Sequence, residues 1–404
     1  MEKCLSFIFL FLLISCESGK KQTLTTSANY EEIEEIRIDT ENGTFYYIDS
    51  LFSGKVSFVK LETTDDVLIG KISNILFDDN LIFVIDEYQT KSIFIFDMDG
   101  KCLSKISNFG NGPGEYSLMH NVFLIKDKKE IVVVDTPQRK RIHYSYSGKF
   151  ISEDRQSFPA INCEYLESGY RAYYISDLSI PNYDNPANNS LVVTDENDKI
   201  VYSACNEFQS EDFKLHATKY FWNYGADLYF CPDWQNTLFL ITDTAAIAKY
   251  HINIIPNEIP PPAEIKGVTT ESFLKDYLNK YPFFDGCFVE YKDLTYLELI
   301  NPRYRVIYSH KTKNTYLLLD EINTLYHFFD TPKGRYGDNT VVVPTLPSRI
   351  LRRKQFLYED VPRSRKGGLN IKEADRSFLD SLYQNLDEED NPVLFFYELN
   401  ANLQ

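Results

Sequence analysis

The chain has 404 residues, of which 43% are hydrophobic and 25% charged, so it can bury a core and is neither collagen-like, coiled-coil nor wholly disordered. Aromatic residues make up 15% of the chain, which favours strands because flat rings pack well on a pleated sheet. The net charge of −17 repels phosphate backbones, so nucleic acid is not an expected partner.

The first residues have the features of a secretory signal. Lys3 is followed by an apolar run from Leu5 to Ile14, which is too short to cross the ~30 Å hydrocarbon core of a bilayer. The run ends in Ser15-Cys16, and this ending resembles the lipobox of bacterial lipoproteins. The resemblance implies a signal peptide at residues 1–15 and lipidation of Cys16. An ordinary signal peptide cleaved elsewhere is the alternative.

Residues 16–29 are rich in Lys, Thr and Ser and offer almost nothing to bury, which predicts a disordered tether. Residues 30–404 would then form a body held at a membrane through its N-terminal lipid. We expect this lipid-anchored protein in the cell envelope, in the outer membrane, with its body periplasmic or surface-exposed.

The body contains a unit that recurs at about 48 to 50 residues. Residues 81–106 read as three short strands, with a hairpin turn at Gly100, and residues 130–153 repeat this design with Gly148 at the same place. Matching turns occur near Asp198 and Ala246. A fifth turn, near Thr312, follows after a longer gap of 66 residues, which an inserted helix explains. Short strands at this period are typical of a β-propeller, in which each unit is one blade.

The count reaches six blades when the C-terminal strands are included. The predicted strands of blade six are Leu325 to Phe329, Thr340 to Val343 and Val393 to Leu399, and helical insertions are predicted near residues 270–280 and 370–386. Lys55 to Glu62 would close the ring as the outer strand of blade six. Residues 30–50 would be a short lead-in across an outer face. The sequence thus predicts an all-β, six-bladed propeller over residues 30–404.

The linker that joins the outer strand of one blade to the inner strand of the next carries a family resemblance. Gly110 to Tyr116 reads GNGPGEY, which is similar to the NHL-type linker of six-bladed propeller lipoproteins from Gram-negative, gut-type bacteria. The similarity in motif covers residues 72–153, and the later blades match by spacing alone. The linker glycines allow close backbone approach, and Glu115 is expected to cap backbone amides of the neighbouring linker.

Signatures of catalysis are missing from the sequence. The six histidines have no metal-ligand spacing, and no nucleophile elbow, phosphate loop or dinucleotide motif occurs. Asp97 and Asp99 lie in a repeated turn, which turn chemistry explains. We therefore predict no catalytic residue, no bound metal and no cofactor. The favoured function is a non-catalytic binding or scaffold module; the alternative is an extracytoplasmic hydrolase or lyase with a channel-mouth site that could hold calcium.

Three residues are predicted to line a mouth of the central channel. Tyr220 and Trp222 belong to an aromatic patch that also includes Trp234, and Arg171 is placed on the inner strand of blade three. Their ligand would be a protein or a carbohydrate of unknown identity. Core packing is the alternative for the aromatic residues. The basic runs Arg349 to Lys354 and Arg363 to Lys366 are interpreted as solvated loops. Contact with an acidic partner or with lipid headgroups is the alternative.

Overall fold

In the computed structural model of the chain, six small β-sheets form a ring. The residues described are 22–157, 160–175, 183–184, 188–206, 219–224, 227–232, 235–256, 269–278, 280–291, 293–300, 302–319, 328–358 and 373–400. Residues 1–15 and Cys16 lie outside this part of the chain, as does Trp234. No helix within the described residues is long and apolar enough to cross a membrane.

Five strands precede the first complete sheet. They are β1 (Gln22–Thr23), β2 (Ala28–Asn29), β3 (Glu34–Asp39), β4 (Thr44–Tyr47) and β5 (Phe52–Lys60). Blade one contains β6 (Asn74–Asp78), β7 (Leu81–Asp86), β8 (Ser92–Asp97) and β9 (Cys102–Ile106). Blade two contains β10 (Asn121–Ile125), β11 (Glu130–Asp135), β12 (Lys140–Ser145) and β13 (Phe150–Arg155). These spans confirm the strands predicted from the repeat.

The remaining four blades follow in chain order. Blade three contains β14 (Asn162–Tyr165), β15 (Arg171–Tyr174), β17 (Asn189–Thr194) and β18 (Ile200–Asn206), and the short strand β16 (Tyr183–Asp184) pairs with β1. Blade four contains β19 (Phe221–Tyr224), β20 (Asp227–Phe230), β21 (Thr237–Ile241) and β22 (Ala246–Ile255). Blade five contains β23 (Phe283–Glu290), β24 (Leu294–Ile300), β25 (Tyr304–Ser309) and β26 (Thr315–Leu319). Blade six contains β27 (Gly334–Tyr336), β28 (Thr340–Thr345), β29 (Val393–Leu399) and β5.

The described apolar core is divided into six clusters, one between each pair of neighbouring blades. Strand β7 shows how the alternation of a strand produces this arrangement. Ile82 and Val84 pack against blade six, whereas Phe83 and Ile85 pack against blade two. The clusters link every blade to both of its neighbours, so the prediction of a six-bladed β-propeller is confirmed.

The ring is closed by strands from the two ends of the chain. Strand β5 pairs antiparallel with β29, from Val393 opposite Lys60 to Leu399 opposite Phe52. The predicted closing strand, Lys55 to Glu62, is therefore confirmed in its partner, although the strand begins and ends a few residues earlier. Closure removes the edge that β29 would otherwise expose.

The N-terminal segment follows the outer edges of blades three, four and five. Strands β2 and β3 pair parallel with β22, and β4 pairs parallel with β26. Ile36 and Ile38 of β3 are fully buried, and Leu24 is buried as well. Two expectations are corrected here: the lead-in adds strands to two blades, and residues 22–29 of the predicted tether are packed on the propeller because they bury apolar side chains and pair their backbone.

The helices differ in part from those predicted. The insertion near 270–280 contains α1 (Thr270–Phe273), which continues as a π-helical turn (Leu274–Leu278), and the C-terminal insertion contains α3 (Glu373–Tyr383). The basic run Arg349 to Lys354 lies in a helix, α2 (Pro347–Tyr358), and not in a solvated loop. The inner strand of blade six is β27 and not the predicted strand Leu325 to Phe329. Phe328 and Phe329 are buried ahead of β27, and residues 325–327 lie outside the described part of the chain.

Candidate functional site

The first strands of the six sheets surround the propeller axis and contact one another, as β10 and β14, β19 and β23, and β27 and β6 do. Polar bonds hold them together at several points. Asn121 Nδ2 donates to the carbonyl oxygen of Cys163 (2.7 Å) and to Glu164 Oε2 (3.2 Å), which joins blades two and three. Asn223 Nδ2 donates to the carbonyl oxygen of Tyr165 (3.2 Å), which joins blades three and four. These bonds fix the inner strands around the channel.

Four charged side chains lie at the end of the propeller axis where the inner strands begin, and Lys219 interacts electrostatically with the other three. Glu87 follows β7, Glu164 lies within β14, Lys219 precedes β19, and Lys333 precedes β27. Glu164 is buried, and the other three are partly buried. We call these four residues the charged cluster. They are far apart in sequence, and only the closed ring brings them to one place.

The electrostatic environment of the charged cluster is unusual. Burial raises the pKa of Glu87 to about 7 and of Glu164 to about 7, although Lys219 acts on both in the opposite direction. Burial also lowers the pKa of Lys219, and the positive charge of Lys333 lowers it further, while the two glutamates raise it. Groups that are desolvated and coupled in this way, at one end of a channel, are typical of functional sites.

Arg171 lies away from this cluster. It begins β15, the second strand of blade three, so its predicted place on the inner strand was wrong. Its guanidinium donates to Tyr165 Oη (2.9 Å) and to Asp198 Oδ1 (3.0 Å). Asp198 also accepts two bonds from Arg141 of blade two. The charge of Arg171 is thus used in a network that connects blades two and three.

Trp222 lies within β19, the inner strand of blade four, and Tyr220 directly precedes this strand, as predicted. Tyr220 stacks on Tyr174 with the ring centroids 3.9 Å apart, and it is 4% exposed. Trp222 is 2% exposed, packs between blades four and five, and donates its indole N–H to the carbonyl oxygen of Gly286 (3.1 Å). Tyr174 and Arg171 are at opposite ends of β15, about 10 Å apart, so the structure does not bring Arg171 to Tyr220. Their role in binding stays a prediction.

The GNGPGEY linker is held by contacts of its own. Glu115 accepts the N–H of Gly112 (2.8 Å) through Oε2, so it caps an amide of this linker and not of a neighbouring one. The fully buried Tyr116 donates its hydroxyl to the carbonyl oxygen of Lys91 (2.7 Å). The Gly114 carbonyl in turn accepts the hydroxyl of Tyr144 (2.6 Å). These contacts account for the glutamate, the tyrosine and the Gly114 carbonyl of the linker as groups that hold the local structure together.

Sequence reasoning missed the charged cluster. Its members have no common spacing, and a lone lysine or glutamate ahead of a strand carries no motif. The one available signal was position. Glu164 lies on an inner strand, and Lys219 and Lys333 lie just ahead of one, whereas Glu87 follows the second strand of blade one. Within the described ranges, no group of three or more His, Cys, Asp and Glu side chains is arranged to hold a metal ion.

Comparisons with known proteins identify the family, and one solved structure agrees with the fold. The family described as "Domain of unknown function (DUF4934)" matches residues 33–398, so the chain belongs to this family. A "Putative exported protein" from Bacteroides fragilis is 19% identical, with a TM-score of 0.70 over 91% of this chain and 99% of that one. A member of the DUF4221 family from Bacteroides vulgatus is 15% identical, with a TM-score of 0.41 over 87% of this chain and 97% of that one. No curated protein matches the chain.

Proposed function

We propose that the protein is an exported, lipid-anchored propeller that binds a ligand without transforming it, and that the ligand occupies the channel end that carries the charged cluster. The signal-like segment ending in Ser15-Cys16 supports the anchor. The description of the Bacteroides fragilis protein as exported supports the location. The GNGPGEY linker supports membership of blades one and two in the NHL-like class.

The binding proposal depends on one observation, which is the desolvation of the charged cluster. Lys219 and Lys333 form no ion pair with a carboxylate of the described residues, although Lys219 is desolvated. A charge that is taken out of water without an ion-pair partner at close range lowers stability. Desolvated groups that interact electrostatically, as Lys219 does with Glu87 and Glu164, cluster at functional sites.

Binding at this end can be tested by melting experiments with a panel of neutral and acidic oligosaccharides and tripeptides. We expect at least one compound to raise the melting temperature of the wild type and to lose this effect in Glu164→Gln. Glu167→Gln is the matched control, because Glu167 is exposed on the turn after β14. An equal response of the wild type and Glu164→Gln would contradict the proposed location.

The anchor can be tested separately in a Gram-negative host that processes lipoproteins. Full-length wild type should partition with the membranes, and Cys16→Ala should lose the acyl mass and remain as a precursor or be released. Wild-type protein of full mature length that is free of membrane would contradict the anchor and would leave the binding proposal unaffected.

A further inference from the structure

The N-terminal segment joins the propeller at one end of its axis. The inner strands begin at this end, so the connections from second to third strands, and from each blade to the next, lie there too; we call this end the upper face and the other the lower face. Strand β16 belongs to such a connection in blade three, and it pairs with β1. Leu24 is buried in one cluster with Ala160 and Ile175, which lie at the same end. The chain ahead of Gln22 therefore starts from the upper face.

The proposed lipid anchor lies within a short distance of this point. Cys16 precedes Gln22 by six residues. An extended chain spans at most ~3.6 Å per residue, so the two residues are at most ~22 Å apart whatever path the chain takes. The compact body is about 50 Å across. Because the anchor cannot reach around the body, either the upper face or the adjoining rim of blade three must lie against the bilayer, and the lower face must point away from it.

The two faces differ in their exposed apolar side chains. Six large apolar side chains in connections at the upper face are 40% exposed or more, and these are Leu68, Tyr88, Phe109, Leu118, Leu274 and Leu346. Within the described ranges, the turns at the lower face carry no exposed large apolar side chain. They carry exposed charged residues such as Asp99, Lys128 and Glu196. The apolar face is thus the one from which the anchored segment starts.

The two exposed aromatic side chains of the upper face each lie beside a lysine. Lys71 Nζ is 5.5 Å from the ring centroid of Tyr88, and Lys91 Nζ is 4.4 Å from that of Phe109. Aromatic rings favour the interface of a bilayer, and a neighbouring lysine can keep its ammonium group among the headgroups. Single exposed apolar residues are common on protein surfaces. This set is distinct because, among the connections between strands, it is confined to one end of the propeller.

We propose that the upper face is the membrane-facing surface of the protein, and that Tyr88 and Phe109 contact the headgroup region of the phospholipid bilayer. This inference rests on the proposed anchor and adds the orientation of the body to it. The net charge of −17 repels anionic lipids, so the contact depends on the apolar side chains. The charged cluster lies at the same end, and its ligand would enter from the space between the body and the bilayer.

Fluorescence quenching by brominated phospholipids tests this orientation. The lipidated full-length protein is placed in vesicles of phosphatidylethanolamine and phosphatidylglycerol, with or without bromine near the headgroup end of the acyl chains. The reporters are Tyr88→Trp and Phe109→Trp. One control is Lys128→Trp, because Lys128 is exposed at the lower face on the short turn between β10 and β11. The other is Phe45→Trp, because Phe45 is 48% exposed on β4 at the rim of blade five.

The wild type gives the background from the native tryptophans, and melting curves show whether each variant is folded. We expect the added tryptophan in Tyr88→Trp and in Phe109→Trp to be quenched at least about threefold more strongly than that in Lys128→Trp, because apolar side chains at the interface reach the boundary of the acyl chains. Phe45→Trp should be quenched less than either reporter, since the rim of blade five is not the surface that faces the bilayer.

Two results would overturn the inference. Quenching of both reporters no stronger than that of Lys128→Trp would leave the upper face to a soluble protein partner, and stronger quenching of Phe45→Trp than of Tyr88→Trp would place the rim against the bilayer. Flotation of the vesicles separates this inference from the anchor. Protein that does not float with the vesicles contradicts the anchor and the orientation together, whereas protein that floats without quenching of the two reporters contradicts the orientation alone.

Discussion

Phe58 of β5 and Phe395 of β29 lie directly opposite each other in the strand pair that closes the propeller, with ring centroids 6.4 Å apart. One comes from the beginning of the folded chain and the other from its end. Phe58 also meets Phe378 of α3 edge-on, with the ring centroids 5.2 Å apart. The closure is therefore fixed by packing on α3 as well as by the β-ladder.

Removal of the closing strand β5 should open the ring of blades. A protein that lacks residues 1–21 retains every described strand, and we expect it to melt as the full chain does. A protein that lacks residues 1–64 exposes the edge of β29, and we expect it to aggregate, because an unpaired edge can pair with another chain. Light scattering during melting distinguishes the two. Equal melting temperatures and equal scattering would show that β5 does not close the ring.

Two isoleucines near the N-terminus should differ in their contribution to stability. Ile38 is fully buried against blades four and five, and Ile38→Ala should lower the free energy of unfolding by about 2–5 kcal/mol. Ile33 is 39% exposed, and Ile33→Ala should change it by about 0.5 kcal/mol or less. Urea denaturation measures both. A similar loss in the two variants would mean that β3 is not bound as described.

Trp222 distinguishes packing from ligand contact. Because the ring is buried between two blades, Trp222→Ala should cost about 3–5 kcal/mol, as the removal of a large buried aromatic side chain does. Phe96→Ala is the reference for a core deletion, since Phe96 is fully buried in blade one. If Trp222→Ala melts near the wild type while Phe96→Ala melts early, the packing explanation fails and a binding role regains support.

Gly114 should tolerate no side chain. Its φ is +70°, and an added Cβ would lie 2.7 Å from the ring of Phe150. Gly54 has a φ of +85° and open space around it, so Gly54→Ala isolates the backbone strain, about 1–2 kcal/mol. We expect Gly114→Ala to lose more stability than Gly54→Ala in urea denaturation, and Phe150→Ala to reduce the difference. Equal losses would show that the linker can move away from Phe150.

Asp330 should make stability depend on acid pH. Burial alone would raise its pKa, but the hydrogen bond from Arg303 (2.7 Å) and that from the Thr331 N–H (2.8 Å) outweigh burial and lower it to about 2. The folded pKa lies below the unfolded value of about 3.9, so this contribution is present above about pH 4 and is lost as the pH falls towards 2. The stability difference between the wild type and Asp330→Asn should therefore shrink between pH 5 and pH 2 in urea titrations. A constant difference would contradict the shift.

The limits of the strands could be predicted in blades whose apolar runs and turn residues are visible in the local sequence. The strands of blade one carry apolar side chains on both faces and end at turns with Gly100 or a strand-ending aspartate, so their limits follow from the sequence. Asp86 illustrates this: its carboxylate accepts backbone N–H groups from Gly70 and Gln89 and so ends the strand. The inner strand of blade six, Gly334–Tyr336, has no apolar run and could not be recognised in this way.

Other features depend on contacts between distant segments. The alternation of Ile36 and Ile38 indicates a strand with one buried face, but no pattern in the nearby sequence identifies β22 as the parallel partner of this strand. The charged cluster depends in the same way on the closed ring, because Glu164 and Lys219 belong to different blades. The aromatic residues Tyr220 and Trp222 were predicted to line a channel mouth because they form an aromatic patch in the sequence. In the structure, their rings pack in the apolar clusters between blades.

The parallel pairing of the N-terminal segment has a mechanical consequence. A pull on the chain ahead of Gln22 first loads the short pair of β1 with β16, and then reaches blade four through β2 and β3. Strand β3 is paired with β22 at six consecutive positions, from Glu34 opposite Tyr250 to Asp39 opposite Ile255. A pull along these strands loads their hydrogen bonds together in shear, whereas a peeling hairpin breaks its bonds one at a time. The blades would therefore bear tension at the N-terminus before the strand pair that closes the ring does.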